Sequence, residues 1–374
     1  MNGSQTTLAI PPSEADPAAN SLLTDKPLPS PLPSLRGKGS SRLPQTISHR
    51  GYKSKFPENT LAAVKGAIES KTDALEIDLH LTKDGEIVLS HDPTLQRCFG
   101  IKKKIGDCDW AYLKTLRTLQ PPHEPMPRLA EILEYINQSG REHIWVLLDI
   151  KVSVTKGLQP PRIASVLLTL CQLTNDPDLV MRRIAQTISS ISPVSSPFSS
   201  PRPWQDRVVL GFWSGDYIPL RNRYLPQFPM ALICFDFKYA RQFLHVEDLA
   251  YNVNQRILMS PLGKGFLEDV RAARRQIYLW TVNAPNLMRW AIRQGVDGVI
   301  TDDPALYIKV REAWERERKD GVVVFPELQT DRLTFGQRVE ILLFVMLAVT
   351  FGWVLKHRIS KRMKGLHLGE QKAS

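Results

Sequence analysis

The sequence predicts an α/β fold, a (β/α)8 TIM barrel with a small insertion at its mouth and a C-terminal membrane-associated helix. Three observations lead there. From Gln45 to about Thr301, apolar runs of strand length alternate with amphipathic stretches of helical length, giving eight strand–helix units over roughly 270 residues. No glycine-rich phosphate loop follows an early strand, as a doubly wound open sheet would require. GKGS lies in the N-terminal arm and PLGKGF follows a late strand, so both read as ordinary turns. Finally, Ile341–Leu355 (ILLFVMLAVTFGWVL) is uncharged, apolar on all sides and begins after the barrel is complete.

Residues 1–43 are rich in Pro, Ser and Ala, with PLPSPLPS at their centre, and are predicted to be disordered. The arm is a poor export signal, because LAIPP is too short for an apolar h-region. Glu14 and Asp16, with no arginine before Arg36, argue against a mitochondrial presequence. The barrel is expected over 44–320. QTISH forms its first strand, and Leu61, Val64, Ala67 and Ile68 mark a helix capped by Asn59 or Thr60. ALEIDLH is the second strand, and EIVLSHD a short extra strand reached through the turn at Lys83–Asp84–Gly85. Residues 93–127 make an excursion at the barrel mouth. PRLAEILEYIN reads as a helix, HIWVLLDIK as a strand and RIASVLLTLCQL as a helix. The low-complexity stretch Ser189–Trp204 is a loop insertion. The strands RVVLGFW, MALICFD, QRILMS, IYLWTVN and DGVIT complete the series.

The chemistry concentrates between Ser48 and Asp92. His49 and His91 each end an apolar run, and between them Glu76 and Asp78 alternate with Leu75, Ile77 and Leu79. Residues two apart on a strand share a face, roughly 7 Å between Cα atoms, so both carboxylates project together. Two acids inside an apolar strand need a partner. None is near in sequence, and a divalent cation is the obvious one. Asp149 and Lys151 repeat the spacing at the end of the third strand, and Trp280 and Asn283 end the seventh. All of these lie at carboxyl ends of strands, where barrel active sites are built. His80 is expected to point to the opposite strand face, and His123, His143 and His245 have no partner spacing. Phe212, Trp213, Phe235 and Met259 fit a lipid pocket or plain barrel packing, and the Asp302–Asp303–Pro304 corner reads as structural.

The elements H-R-G, P-E-N-T, E-I-D and H-D occur in this order, and over about residues 45–305 the chain resembles the glycerophosphodiester phosphodiesterase family. With its apolar C-terminal segment it looks most like the fungal phosphatidylglycerol phospholipases C within that family. The resemblance implies the barrel fold. It also implies His49 and His91 as general acid and base, Glu76, Asp78 and Asp149 as metal ligands, and Arg50, Lys151 and Trp280 as substrate contacts. Asp149 departs from the glutamate commoner in the family. An all-oxygen ligand set suits Mg²⁺ or Ca²⁺ better than zinc.

A net charge of +11 points to an anionic partner. No helix-turn-helix or zinc-finger pattern supports nucleic acid, so no nucleic-acid partner is expected. The charge alone does not decide, and the C-terminal segment favours an acidic lipid surface. Four cysteines without C-x-x-C spacing suit a reducing compartment. The segment 337–364 joins the apolar run to Lys356, Arg358, Lys361, Arg362 and Lys364. Fifteen helical residues span about 22 Å against a ~30 Å hydrocarbon core. With the basic flank and the barrel expected on the same side, a monotopic or re-entrant insertion is favoured over a full span, and a short tail anchor stands as the alternative. The expected location is a membrane surface with the catalytic domain facing the cytosol, at the endoplasmic reticulum, a lipid droplet or the mitochondrial outer membrane. The expected activity is a metal-dependent phosphatidylglycerol phospholipase C. Two alternatives stand beside it: a phosphodiesterase or lysophospholipase D on soluble or lyso substrates, and a membrane-tethered, catalytically inactive binding protein.

Overall fold

The computed structural model describes residues 43–151, 176–194, 202–321 and 333–347. The chain begins with β1 (Gln45–His49), α1 (Leu61–Glu69), β2 (Ala74–Leu81) and β3 (Ile87–Leu89). It continues through α2 (Leu129–Ile136), β4 (Trp145–Ile150), α3 (Pro177–Ser189), β5 (Val208–Phe212), α4 (Tyr217–Tyr224) and β6 (Met230–Cys234). Next come β7 (Leu249–Asn254), α5 (Pro261–Ala272), β8 (Ile277–Trp280), α6 (Pro285–Arg293), β9 (Gly298–Thr301) and α7 (Pro304–Asp320). A last helix, α8, covers 335–347. The eight strands other than β3 pair in parallel, and β1 bonds both β2 and β9, which closes the barrel. β3 runs antiparallel along the end of β2.

Strand alternation divides the core into two layers. Leu75, Ile77 and Leu79 of β2 face outward, with Val146, Leu148 and Ile150 of β4, into the layer shared with the helices. Ile47, Ala74, Trp145, Leu147, Val209 and Tyr278 fill the barrel interior. The same alternation carries Glu76 and Asp78 to the inner side above that plug. Residues around the excursion pack a small core of their own, in which Leu95, Ile105, Leu113 and Met126 gather on Val88.

One expectation changes here. QRILMS is not a strand: Gln255–Leu258 is a helical turn, and LAYNVN before it is β7. Asn252 and Asn254 face inward on that strand and disguise its apolar face of Leu249, Tyr251 and Val253. The Asn254 side chain then accepts a hydrogen bond from the Arg256 amide (3.0 Å) and starts the turn. Of the two cap candidates, Thr60 caps α1, accepting from the Ala63 amide at 3.2 Å. The N-terminal arm, the RIASVLLTLCQL segment, residues 195–201 of the low-complexity loop and everything beyond 347 lie outside the described residues. Among the described residues no helix is long and apolar enough to cross a membrane.

Candidate active site

The site begins with a backbone turn. Arg50 and Gly51 both take positive φ, 57° and 81°, directly after β1. A Cβ at Gly51 would lie 2.7 Å from the backbone and Cβ of Ala63, so only glycine fits there. The turn aims the Arg50 amide at Glu76, which accepts it through both its backbone oxygen (2.7 Å) and Oε2 (3.0 Å). The Arg50 guanidinium lies across Asp78, Nε to Oδ2 at 3.1 Å, and donates from Nη1 to Glu58 Oε1 at 2.8 Å. Asn59 donates to Asp78 Oδ2 at 2.7 Å. The H-R-G and P-E-N-T elements are therefore one clamp around the acids of β2.

Register places the third acid. Asp78 of β2 pairs with Asp149 of β4, so their side chains project side by side into the barrel mouth. Oxygen atoms of Glu76, Asp78 and Asp149 all lie within 4.8 Å of one another, and all three residues are buried. Lys151 Nζ sits 2.5 Å from both Asp78 Oδ1 and Asp149 Oδ2, and Trp213 Nε1 donates to Asp149 Oδ1 at 3.0 Å. The acids thus do have basic partners, Arg50 and Lys151, brought together by the fold and not by proximity in sequence. Burial, followed by the Asp78 and Asp149 charges, pushes Glu76 well above the usual carboxylate range. Burial raises Asp149 as well. Lys151 and Arg50 outweigh the burial of Asp78 and hold it well below that range. Asp78 Oδ1 is buried without an aligned hydrogen bond, despite the nearby ammonium. An oxygen-only triad carrying more negative charge than its neighbours neutralise fits a hard divalent cation.

Each histidine has its own carboxylate. His49 Nδ1 contacts Asp302 Oδ1 at 2.6 Å, leaving Nε2 on the inner side, 3.9 Å from Glu76 Oε2. Burial and the Arg50 charge lower the His49 pKa to about 4, so at neutral pH it is the neutral imidazole that donates from Nδ1. Asp302 also accepts from Asn283 (2.8 Å), and despite burial these contacts keep it ionised. His91 Nδ1 contacts Asp92 Oδ1 at 2.8 Å, and Arg97 holds Asp92 through Nε at 2.6 Å while binding Glu58 with its other nitrogens. A neutral imidazole with a free inward nitrogen, a second oriented imidazole, two fixed cations and a carboxylate triad can bind a phosphodiester and move protons to and from its oxygens.

The glycerophosphoryl diester phosphodiesterase family matches residues 49–306. The chain belongs to that family. It is a phosphoric diester hydrolase, with lysophospholipase D among its relatives' activities. The chain is 23% identical over 273 residues to a glycerophosphodiester phosphodiesterase of Bacillus altitudinis, covering 71% of this chain and 97% of that one. It is 25% identical over 278 residues to the lysophospholipase D GDPD1 of Homo sapiens, covering 70% and 84%. In fold it resembles an Oleispira antarctica phosphodiesterase solved with its product sn-glycerol-3-phosphate. The TM-score is 0.57 at 21% identity, over 72% of this chain and 97% of that one.

In this diesterase the site residues read from sequence gather as expected at the carboxyl ends of β1, β2 and β4, with His91 just beyond β3. Trp280 ends β8, packed edge-on against Trp213 with ring centroids 5.7 Å apart. His80 corrects an expectation. It shares the inner face with Glu76 and Asp78, as even spacing demands, and its Nε2 lies 3.3 Å from the His91 carbonyl oxygen. Asp302 is more than a structural corner, because it orients His49. Asp303 beside it caps α7, accepting from the Leu306 amide at 3.0 Å. Trp213 holds a carboxylate besides lining the mouth. The H-D dipeptide at His91 was the one local signal for the second imidazole–carboxylate pair.

Proposed function

We propose that this diesterase cleaves glycerol-bearing phospholipids by internal attack, with phosphatidylglycerol as the preferred substrate. The observation that carries the reading is the pairing of His49 and His91, each oriented by its own aspartate, beside the Glu76–Asp78–Asp149 triad. His49, neutral at working pH, takes the proton of the headgroup hydroxyl next to the phosphate-bearing carbon. That oxygen attacks phosphorus, His91 protonates the leaving diacylglycerol oxygen, and a five-membered cyclic phosphate forms. Water then opens the ring with the roles of the two histidines reversed, giving glycerophosphate. Glu76, Asp78 and Asp149 would hold Mg²⁺ or Ca²⁺, which would supply electrophilic stabilisation of the phosphoryl oxygens. Arg50 and Lys151 add fixed positive charge as the phosphorane forms. Trp280 and Trp213 offer an apolar wall for the glycerol backbone.

The lipid preference rests on the C-terminal sequence, an uncharged run followed by Lys356, Arg358, Lys361, Arg362 and Lys364. Such a cluster gains about 1 kcal/mol per basic residue at an anionic surface. We place the protein at a cytosol-facing membrane surface on that ground. The likeness to lysophospholipases D supports a second reading. A lysophospholipid also has a free hydroxyl beside its phosphate, and the same attack would expel choline. Purified enzyme assayed against phosphatidylglycerol, lysophosphatidylcholine, glycerophosphocholine and diacyl phosphatidylcholine separates the readings. Diacylglycerol release from the first alone supports the phospholipase C. Choline release from the second as the fastest reaction assigns lysophospholipase D, and no turnover of any would contradict both readings.

A further inference from the structure

Among the described residues, helix α8 leaves an apolar face exposed. Its inner face, Gln337, Ile341, Phe344 and Val345, is half-buried, and Phe344 and Val345 pack against the main core. The opposite face should then be polar, as on an ordinary surface helix. Instead Phe335 (83% exposed), Val339, Leu342 (59%) and Leu343 (54%) fall at positions i, i+4, i+7 and i+8. They form one continuous outward stripe.

The position of α8 gives the stripe a direction. Gln337 exchanges hydrogen bonds with Asn286, Nε2 to Oδ1 at 3.2 Å and Nδ2 to Oε1 at 2.8 Å. Glu340 pairs with Arg256, whose guanidinium also lies over the Phe344 ring. Asn286 begins α6 just after β8, and Arg256 follows β7 directly. Both anchors therefore belong to the catalytic rim of the barrel. Across the mouth, on the β2 side, the excursion presents Lys102, Lys103 and Lys104, all exposed and lining an open cleft. Between these two margins lie the Trp213–Trp280 wall and the acidic triad.

We propose that α8 and the Lys102–Lys104 turn are the two margins of a bilayer-docking surface that seats the barrel mouth on an anionic membrane. The apolar stripe enters the interface and the lysines meet lipid phosphates on the opposite margin. This deepens the lipid reading of the site, on which it rests, by fixing which end of the barrel faces the lipid. An apolar helix stripe paired with basic charge is the pattern of interfacial binding. Here it continues in sequence into the uncharged run and its basic flank, which favours a bilayer over a second copy of the chain.

Hydrogen exchange of the full-length protein, with and without vesicles of phosphatidylcholine containing phosphatidylglycerol, tests the orientation independently of catalysis. Amides of α8 and of residues 100–106 should gain protection with these vesicles, and far less with pure phosphatidylcholine. The double variant Leu342→Glu/Leu343→Glu should lose at least tenfold in turnover of vesicle phosphatidylglycerol. Turnover of detergent-dispersed lipid should stay within twofold. Protection confined to other faces of the barrel would overturn the proposal. So would an unchanged ratio of vesicle to dispersed turnover, or a concentration-dependent dimer that the double variant abolishes. Failure to cleave phosphatidylglycerol in any form would instead count against the substrate reading, since docking is read by exchange alone.

Discussion

The two imidazoles, His49 and His91, stand in different surroundings. Replacing His49 or His91 by alanine should lower turnover at least about a hundredfold while circular dichroism stays unchanged, because each carries a proton transfer. Near-normal turnover of either variant would remove that residue from the mechanism. The pH profile adds a sharper check. Burial lowers His49 to about 4, so acidification below the usual 6.5 does not yet protonate it. With metal saturating, the acid limb of kcat/KM should therefore lie well below 6.5. Asp302 works in the raising direction on His49, so Asp302→Asn should move that limb lower still and reduce kcat. An acid limb at or above 6.5 in the parent would contradict the neutral-base assignment. Much of this site was legible in sequence, since His49, Glu76, Asp78 and His91 fall within one stretch with strand-like spacing. Asp302 was not: it is 253 residues from His49 in sequence, and only barrel closure brings β9 beside β1. Trp213 hid for a similar reason, because an aromatic residue ending a strand gives no sign that its indole nitrogen holds a carboxylate on the neighbouring strand.

At the element scale, strand periodicity explains what could be read and what could not. β2 announced itself because apolar and acidic residues alternate strictly, and the same alternation makes Glu76, Asp78 and His80 share one face. β7 was harder to see because two of its inward residues, Asn252 and Asn254, are polar, so the QRILMS run next to it took the assignment and turned out helical. The turn after β1 is the most demanding element. Gly51→Ala must accept positive φ and a 2.7 Å contact with Ala63, which should cost about 1–3 kcal/mol in stability. A urea titration should show the lower midpoint. Activity of the surviving folded protein should also drop, since the same turn aims Arg50 at Glu76. An unchanged midpoint would mean that the turn relaxes without strain.

At the scale of the whole molecule, the barrel supplies a rim on which residues from six strand ends converge, and the family assignment rests on that rim together with the match over residues 49–306. Buried carboxylates that repel one another need a cation, so chelation should abolish turnover and Mg²⁺ or Ca²⁺ should restore it. Full activity after exhaustive chelation would defeat the metal assignment. Length and apolar character revealed the C-terminal segment in sequence. The docking of α8, the described part at its start, on the β7–β8 rim through Asn286 and Arg256 could be seen only in three dimensions. The central claim is that the substrate's own glycerol hydroxyl is the nucleophile. It is tested most directly by comparing phosphatidylglycerol with its analogue lacking the headgroup 2-hydroxyl, phosphatidyl-1,3-propanediol, both dispersed in detergent. Effective molarities of roughly 10⁵–10⁸ M for internal attack imply that the analogue should react at least about a thousandfold more slowly. Phosphorus NMR should also show a transient cyclic glycerophosphate from phosphatidylglycerol alone. Equal rates for the two lipids would contradict internal attack and leave direct attack by water as the chemistry of this site.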